Sequence, residues 1–144
     1  MQPLLTRLLG LPGIEVEDYH DQGEHLILEV EADGTQATCP RCDHESTHLH
    51  QNHGYLVRDL PISERSVMLK VNRRQFKCAP CGKPFSEALD FVGHRRTYTD
   101  RFAQAIVQQV IHSDTHNVAL NHGLSDEEVW SMVQYISKKN SMSK

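Results

Sequence analysis

Two C-x-x-C pairs, Cys39-Pro40-Arg41-Cys42 and Cys78-Ala79-Pro80-Cys81, are the residues of this 144-residue chain whose type and spacing could do chemistry. Thiolates are soft ligands, and two such turns brought side by side can present four sulfurs as a tetrahedron, the closed arrangement of a structural zinc ion. Gly82, directly after the second pair, eases the tight backbone around the metal. Two redox pairs or four buried free thiols are the alternatives, and the same sulfurs could hold iron. Zinc on Cys39, Cys42, Cys78 and Cys81 is the expectation. A site closed by four cysteines leaves no open position for water or substrate, so such an ion would supply folding energy rather than catalysis.

His44, His48, His50 and His53 crowd behind the first pair. Their spacing is irregular and four ligands are already in hand, so they read as exposed loop or strand residues; His94, His112, His116 and His122 read the same way. Hydrophobic residues make up 38% of the chain and aromatics 6%, so a single generous core is not expected and a metal staple is. No segment joins a basic stretch, an apolar run and a small-residue cleavage site, and nowhere do about 18 apolar residues run together. A soluble, cytoplasmic protein without membrane contact is expected, and in a reducing compartment close cysteine pairs favour metal over disulfides.

The net charge of −4 averages over segments of opposite sign. Residues 1–53 hold two basic and ten acidic side chains, residues 54–110 ten and five, and residues 111–144 three and four. The positive charge is thus concentrated mid-chain.

Several elements must position the cysteines. Leucine spacing over residues 3–10 predicts a short helix that stops at Gly10 and Pro12. Residues 14–20 and 25–31 read as a hairpin with Leu26, Leu28 and Val30 on one face, delivering the chain to Cys39. Residues 53–60 and 66–78 read as a second hairpin turning at Pro61–Arg65. Val67, Leu69 and Val71 alternate as in a half-buried strand, but Phe76 falls on the opposite parity, which implies a bulge or a strand leaving the sheet.

From Tyr98 the period changes to about 3.6. Phe102, Ala105, Ile106, Gln109 and Val110 predict an amphipathic helix ending near His112, followed by a short helix over residues 115–122 that stops at Gly123. Ser125-Asp126-Glu127-Glu128 is a capping box that opens a third helix burying Val129, Met132, Val133 and Ile136. Ala119 and Gly123 have the spacing of a helix-turn-helix, although three helices alone are equally compatible with a plain bundle.

The chain resembles the N-terminal part of ISL3-type transposases. The likeness rests on Leu8-Leu9-Gly10-Leu11-Pro12-Gly13-Ile14, Cys39-Pro40-Arg41-Cys42, His53-Gly54-Tyr55, Arg58-Asp59-Leu60-Pro61, Arg73-Arg74-Gln75-Phe76-Lys77-Cys78, Phe85-Ser86-Glu87 and the tail from Tyr98 to Ile136. The resemblance implies an α+β chain in two parts. Residues 1–93 would form a β hairpin and a four-cysteine zinc ribbon, and residues 94–144 a three-helix helix-turn-helix unit.

The resemblance further implies a DNA-recognition module without the acidic-triad nuclease domain, hence not itself an enzyme. Its partner would be duplex DNA, the terminal inverted repeats of a mobile element, which a homodimer would match. Arg73, Arg74, Lys77, Arg95, Arg96 and Arg101 are the candidate phosphate contacts. On the third helix Asp126, Glu127, Trp130, Ser131 and Gln134 face outward at the N-terminal end, with Lys138 and Lys139 further along. Gln134, Lys138 and Lys139 are candidate DNA contacts, whereas the carboxylates would be repelled by phosphates. The competing reading is a zinc-stapled protein-interaction domain, using the acidic front or Trp130, or a domesticated transcriptional regulator.

Overall fold

The computed structural model describes residues 2–93 and 96–142. His94 and Arg95, the latter an expected phosphate contact, lie outside the described residues. The chain is mixed α+β, with four helices among the described residues: one at the start and three in the tail.

Helix α1 (Pro3–Leu9) has proline in its first turn and ends on Gly10 in the left-handed conformation, φ 70°. It covers the outer edge of strand β1: the Gln2 amide donates to the Val16 carbonyl at 2.7 Å, and the Val16 amide donates to the Thr6 hydroxyl at 3.0 Å. β1 (Ile14–Asp21) and β2 (His25–Ala32) form the expected hairpin, with a register shift between Val16 and Asp18. β5 (Leu49–Ile62) and β6 (Arg65–Lys77) form the second, longer than expected because β5 begins at Leu49 rather than His53.

Three short strands carried no periodic signal in the sequence: β3 (Ala37–Thr38), β4 (Glu45–Ser46) and β7 (Pro84–Ser86). β3 pairs with β4, and β7 adds to the end of β6. The main sheet runs β1-β2-β6-β5, so the two hairpins join through a parallel β2–β6 pairing in which Leu28 lies opposite Leu69.

Val16, Leu28, Val30, Val57, Val67, Leu69 and Val71 are buried on one face of this sheet beneath α1 and residues 89–92. Each such side chain contributes roughly 1.5–3 kcal/mol through lost apolar exposure. The opposite parity of Phe76 needs neither a bulge in β6 nor its departure from the sheet: β6 alternates regularly through Phe76, and the extra residue, between Leu49 and Gln51, lies in its partner β5. Phe76 therefore points to the other face, where it packs with Phe85, Cys39 and Cys78.

Helices α2 (Asp100–His112), α3 (Thr115–His122) and α4 (Asp126–Met142) enclose a separate core around Phe102, Ile106, Val118, Val129, Met132 and Ile136. Thr99 and Asp114 cap α2 and α3 by accepting from the amides of Phe102 and Asn117. The capping box of α4 forms as expected: the Glu128 amide donates to Ser125 Oγ at 3.0 Å, and the Ser125 amide donates to Glu128 Oε1 at 3.1 Å. Two expected core positions shift: Val133 is only partly buried, and Gln109 is exposed while Ala103 is buried.

The sheet and the helical core meet at Arg58-Asp59-Leu60. The Arg58 amide donates to the Thr97 carbonyl, the Thr99 amide donates to the Arg58 carbonyl, and Leu60 packs into the helical core. Asp59, 1% exposed, accepts from Thr99 Oγ1 at 2.7 Å and from Arg101 Nε at 2.9 Å and Nη2 at 2.5 Å. Replacing Asp59 by Ala would leave a guanidinium and a hydroxyl without their acceptor. The expected loss is about 3 kcal/mol, read as a lower urea midpoint with an unchanged m-value. A midpoint equal to the parent's would show that this clasp does not hold the two parts together.

Candidate metal centre and nucleic-acid interface

The two C-x-x-C turns fold alike. In the first, the Cys39 amide donates to the His44 carbonyl at 2.9 Å and the Asp43 amide returns to the Cys39 carbonyl at 2.9 Å. In the second, Cys78 and Lys83 are joined at 3.1 Å and the Gly82 amide reaches the Cys78 carbonyl at 2.8 Å. The residue after each second cysteine is left-handed, Asp43 at φ 60° and Gly82 at φ 68°. Glycine takes that conformation freely and aspartate tolerates it. Only the glycine was recognisable beforehand as a turn signal.

The turns are drawn together by contacts outside the cysteines. Ser46 Oγ donates to the Lys77 carbonyl at 2.6 Å, the Lys77 amide donates to the His48 carbonyl at 2.9 Å, and Arg41 Nη2 spans to the carbonyls of Lys83 and Pro84 at 3.3 and 3.2 Å. Arg41, which the sequence offers only as part of the first C-x-x-C pair, is thus a brace between the two loops.

The four Sγ atoms lie within 4.8 Å of one another, with Cys42 at 3.4 Å from both Cys78 and Cys81. That is far from the ~2.0 Å of a disulfide. It is near the roughly 3.8 Å edge of a tetrahedron with 2.3 Å metal–sulfur bonds. Burial opposes ionisation of Cys39, but the amides of Arg41 and Cys42 point at its sulfur and bring its pKa down to about 6. The His44 amide favours the Cys42 thiolate, yet the sulfurs of Cys81 and Cys78 outweigh it and push Cys42 up to about 12. Four thiolates this close repel one another unless a dication sits among them, so the donor set fits zinc.

A second grouping, Asp18, His20 and Glu29, is largely exposed on β1 and β2, where His20 and Glu29 pair at 2.7 Å. His44, His48, His50 and His53 are exposed, and none belongs to the sulfur cluster.

The helical part has the geometry of a helix-turn-helix. α3 ends on Gly123, left-handed at φ 64°, and the Leu124 amide returns to the Ala119 carbonyl at 2.9 Å. Val129 and Met132 of α4 pack back into the core, while Asp126, Glu127, Trp130 and Gln134 face out.

The family model described as the zinc-finger of transposase IS204/IS1001/IS1096/IS1165 matches residues 35–81, and the model described as the helix-turn-helix domain of transposase family ISL3 matches residues 87–137. The chain carries the zinc-ribbon and helix-turn-helix regions of ISL3-family transposases. It is 36% identical over 119 residues to the transposase for insertion sequence element IS1001 of Bordetella parapertussis, a match covering 81% of this chain and 29% of that protein. The chain thus spans under a third of that relative's length. No solved structure matches it.

Within the ISL3 ribbon, the basic residues expected at phosphates separate into two groups. Arg74 is nearly buried: Nε donates to Glu87 Oε2 at 3.0 Å, Nη2 to Glu87 Oε1 at 2.9 Å and Nη1 to the Gly34 carbonyl at 2.6 Å, while its guanidinium lies 5.3 Å over the Phe76 ring. The bond to Glu87 holds its pKa above the ordinary arginine value. Arg101 is occupied by Asp59 and by the Leu9 carbonyl. Both arginines are joints of the structure.

Arg73 is only partly occupied, with Nε on the Glu87 carbonyl at 3.2 Å. Lys77, Gln134 and Lys138 are exposed. In the ISL3 helix-turn-helix, Lys139 pairs with Asp100, which also accepts from Tyr135 Oη at 2.6 Å, and Arg96 lies 4.6 Å over the Tyr135 ring. Burial and the Asp100 bond push Tyr135 up to about 12.

Arg58 was not among the expected contacts. It sits over Phe102 at 5.2 Å, its Nε is buried without a partner, and burial lowers its pKa. The pattern Arg58-Asp59-Leu60-Pro61 was visible, but the role of each residue needed α2 in place.

Around the sulfurs the apolar packing amounts to Phe76 and Phe85, about 6 kcal/mol at most. Ordering two loops at roughly 1–2 kcal/mol per residue exceeds that several-fold. Zinc analysis should therefore find one ion per chain, and Cys78→Ser should lose it and disorder residues 35–48 and 77–86 by NMR while the helical core stays folded. Because protons compete for the thiolates, zinc retention should fall as pH is lowered. Full zinc content in the serine variant would remove this site from consideration.

Proposed function

We propose that this chain is the DNA-recognition module of an ISL3-type transposase, with zinc held by Cys39, Cys42, Cys78 and Cys81 and α4 laid in the major groove. The supporting observation is the exposed outer face of α4 beside a turn built on Ala119 and Gly123, fixed to a sheet that the sulfur cluster closes. Residues 1–93 and 94–144 act as ribbon and reader. The Asp59 clasp orients one against the other.

In this reading Gln134 and Lys138 contact DNA from α4, while Arg73, Lys77 and Arg96 reach phosphates from the ribbon side. Arg74, Arg101 and Lys139 hold the platform through Glu87, Asp59 and Asp100. Asp126 and Glu127 suit the N-terminal end of the helix dipole, and carboxylates there can accept from the cytosine amino group. The module recognises DNA in this reading, and the buried carboxylates Asp59 and Glu87 serve Arg101 and Arg74. Terminal inverted repeats are the target, met by two copies of the chain. No helix among the described residues is long and apolar enough to cross a membrane, and a cytoplasmic site of action fits the reading.

Trp130, 55% exposed, favours a second reading in which α4 docks on a protein. Selection of bound duplexes from a random pool, followed by titration against salt, separates the two. The expected outcome is enrichment of a discrete sequence, with a salt slope that falls by about 0.9 in Lys138→Gln. Absence of duplex binding at low salt would leave the protein-docking reading.

A further inference from the structure

On the core-side face of the long hairpin, cross-strand pairs run Val57 with Leu69, Tyr55 with Val71, His53 with Arg73 and Gln51 with Gln75. The apolar packing ends at Val71, and the face continues as aromatic and basic side chains. His53 and Tyr55 stack with centroids 6.4 Å apart. Together with Arg73, Arg96 and Thr97 they line a cleft of about 200 Å³.

Among the described residues no carboxylate lines this cleft. Glu87, the acid close enough to act on Tyr55, is bonded on both oxygens by Arg74. Among the described residues the Arg73 Nη groups, the Arg96 guanidinium, the Tyr55 hydroxyl and the His53 ring nitrogens have no hydrogen-bond partner. Two guanidinium groups and a phenol that line one cleft, with only Arg73 Nε given to an internal acceptor, are complementary to a phosphodiester.

Arg96 and Thr97 also line the neighbouring cleft, whose other wall is Ser125, Glu127 and Ser131 at the start of α4. One surface therefore leads from the outer end of α4, past Arg96, onto the hairpin. We propose that His53, Tyr55, Arg73 and Arg96 clamp the sugar-phosphate backbone of the same duplex that α4 reads, making the ribbon hairpin a second DNA-contacting element. This inference rests on the DNA-recognition reading and adds a location to it.

The test uses the zinc-loaded full chain and a labelled duplex of mixed sequence, titrated at several salt concentrations. Arg73→Gln and Arg96→Gln should each lower the slope of log K against log salt by about 0.9, and the double variant by about twice that. Arg73→Lys should keep the parental slope, and Tyr55→Phe should weaken binding at every salt concentration without changing it. Zinc content and the unfolding midpoint report whether each variant is folded; where an arginine variant is not, Tyr55→Phe and Arg73→Lys decide.

A double variant with the parental slope, while Lys138→Gln still lowers its own, overturns the clamp and leaves DNA recognition standing. A parent chain that binds no duplex overturns both. A free phosphate offers the same chemistry. NMR shifts at His53 and Tyr55 on adding inorganic phosphate, with duplex binding indifferent to both arginines, would assign the cleft to a small anion and overturn the duplex clamp.

Discussion

Four sulfurs within 4.8 Å of one another set the condition on which the front of this molecule depends. Their mutual repulsion as thiolates demands a dication, and the dication in turn fixes two loops whose large apolar partners among the described residues are Phe76 and Phe85. The knuckle backbone favours the thiolate at Cys39 by aiming amides at its sulfur, while the neighbouring sulfurs oppose ionisation of Cys42. Metal, sheet end and loops therefore form one cooperative unit. Its attachment to the main sheet is Phe76, whose parity carries β6 from one core into the other.

Two arginine–carboxylate clasps extend that order outward. Arg74 and Glu87 bind the segment after β7 back onto β6, and Asp59 with Arg101 sets α2 against the hairpin. Both are well shielded and bidentate, the geometry in which removing one partner costs most. Charges that the sequence presents as a basic stretch thus divide into those that build the platform and those left to meet a ligand. The division decides which substitutions act on binding and which act through folding.

The sequence made local features legible and left long-range ones hidden. Each C-x-x-C pair, both hairpin turns, the α4 capping box and the Ala119–Gly123 turn depend on residues within a few positions of one another, and each was readable from pattern; that the two pairs, 36 positions apart, meet was inferred from the valence of the metal. Strands of two or three residues, such as β3, β4 and β7, are too short to show a period. The roles of Arg74 and Arg101 depend on carboxylates 13 and 42 residues away, so a count of positive charge could not separate them from Arg73 or Arg96. His53 and Tyr55 were quoted as part of a resemblance, but only the register of β5 against β6 places them beside Arg73.

The parallel pairing of β2 with β6 also constrains how the chain is made. His25 and Ser66 are partners 41 residues apart, so on a ribosome adding roughly 5–20 residues per second the first hairpin waits several seconds for its neighbour. During that interval the inner edge of β2 is bare and available to any other extended peptide. Until β6 emerges, the two hairpins cannot share one sheet, so closing this 41-residue separation is the long-range step in assembling the front of the molecule.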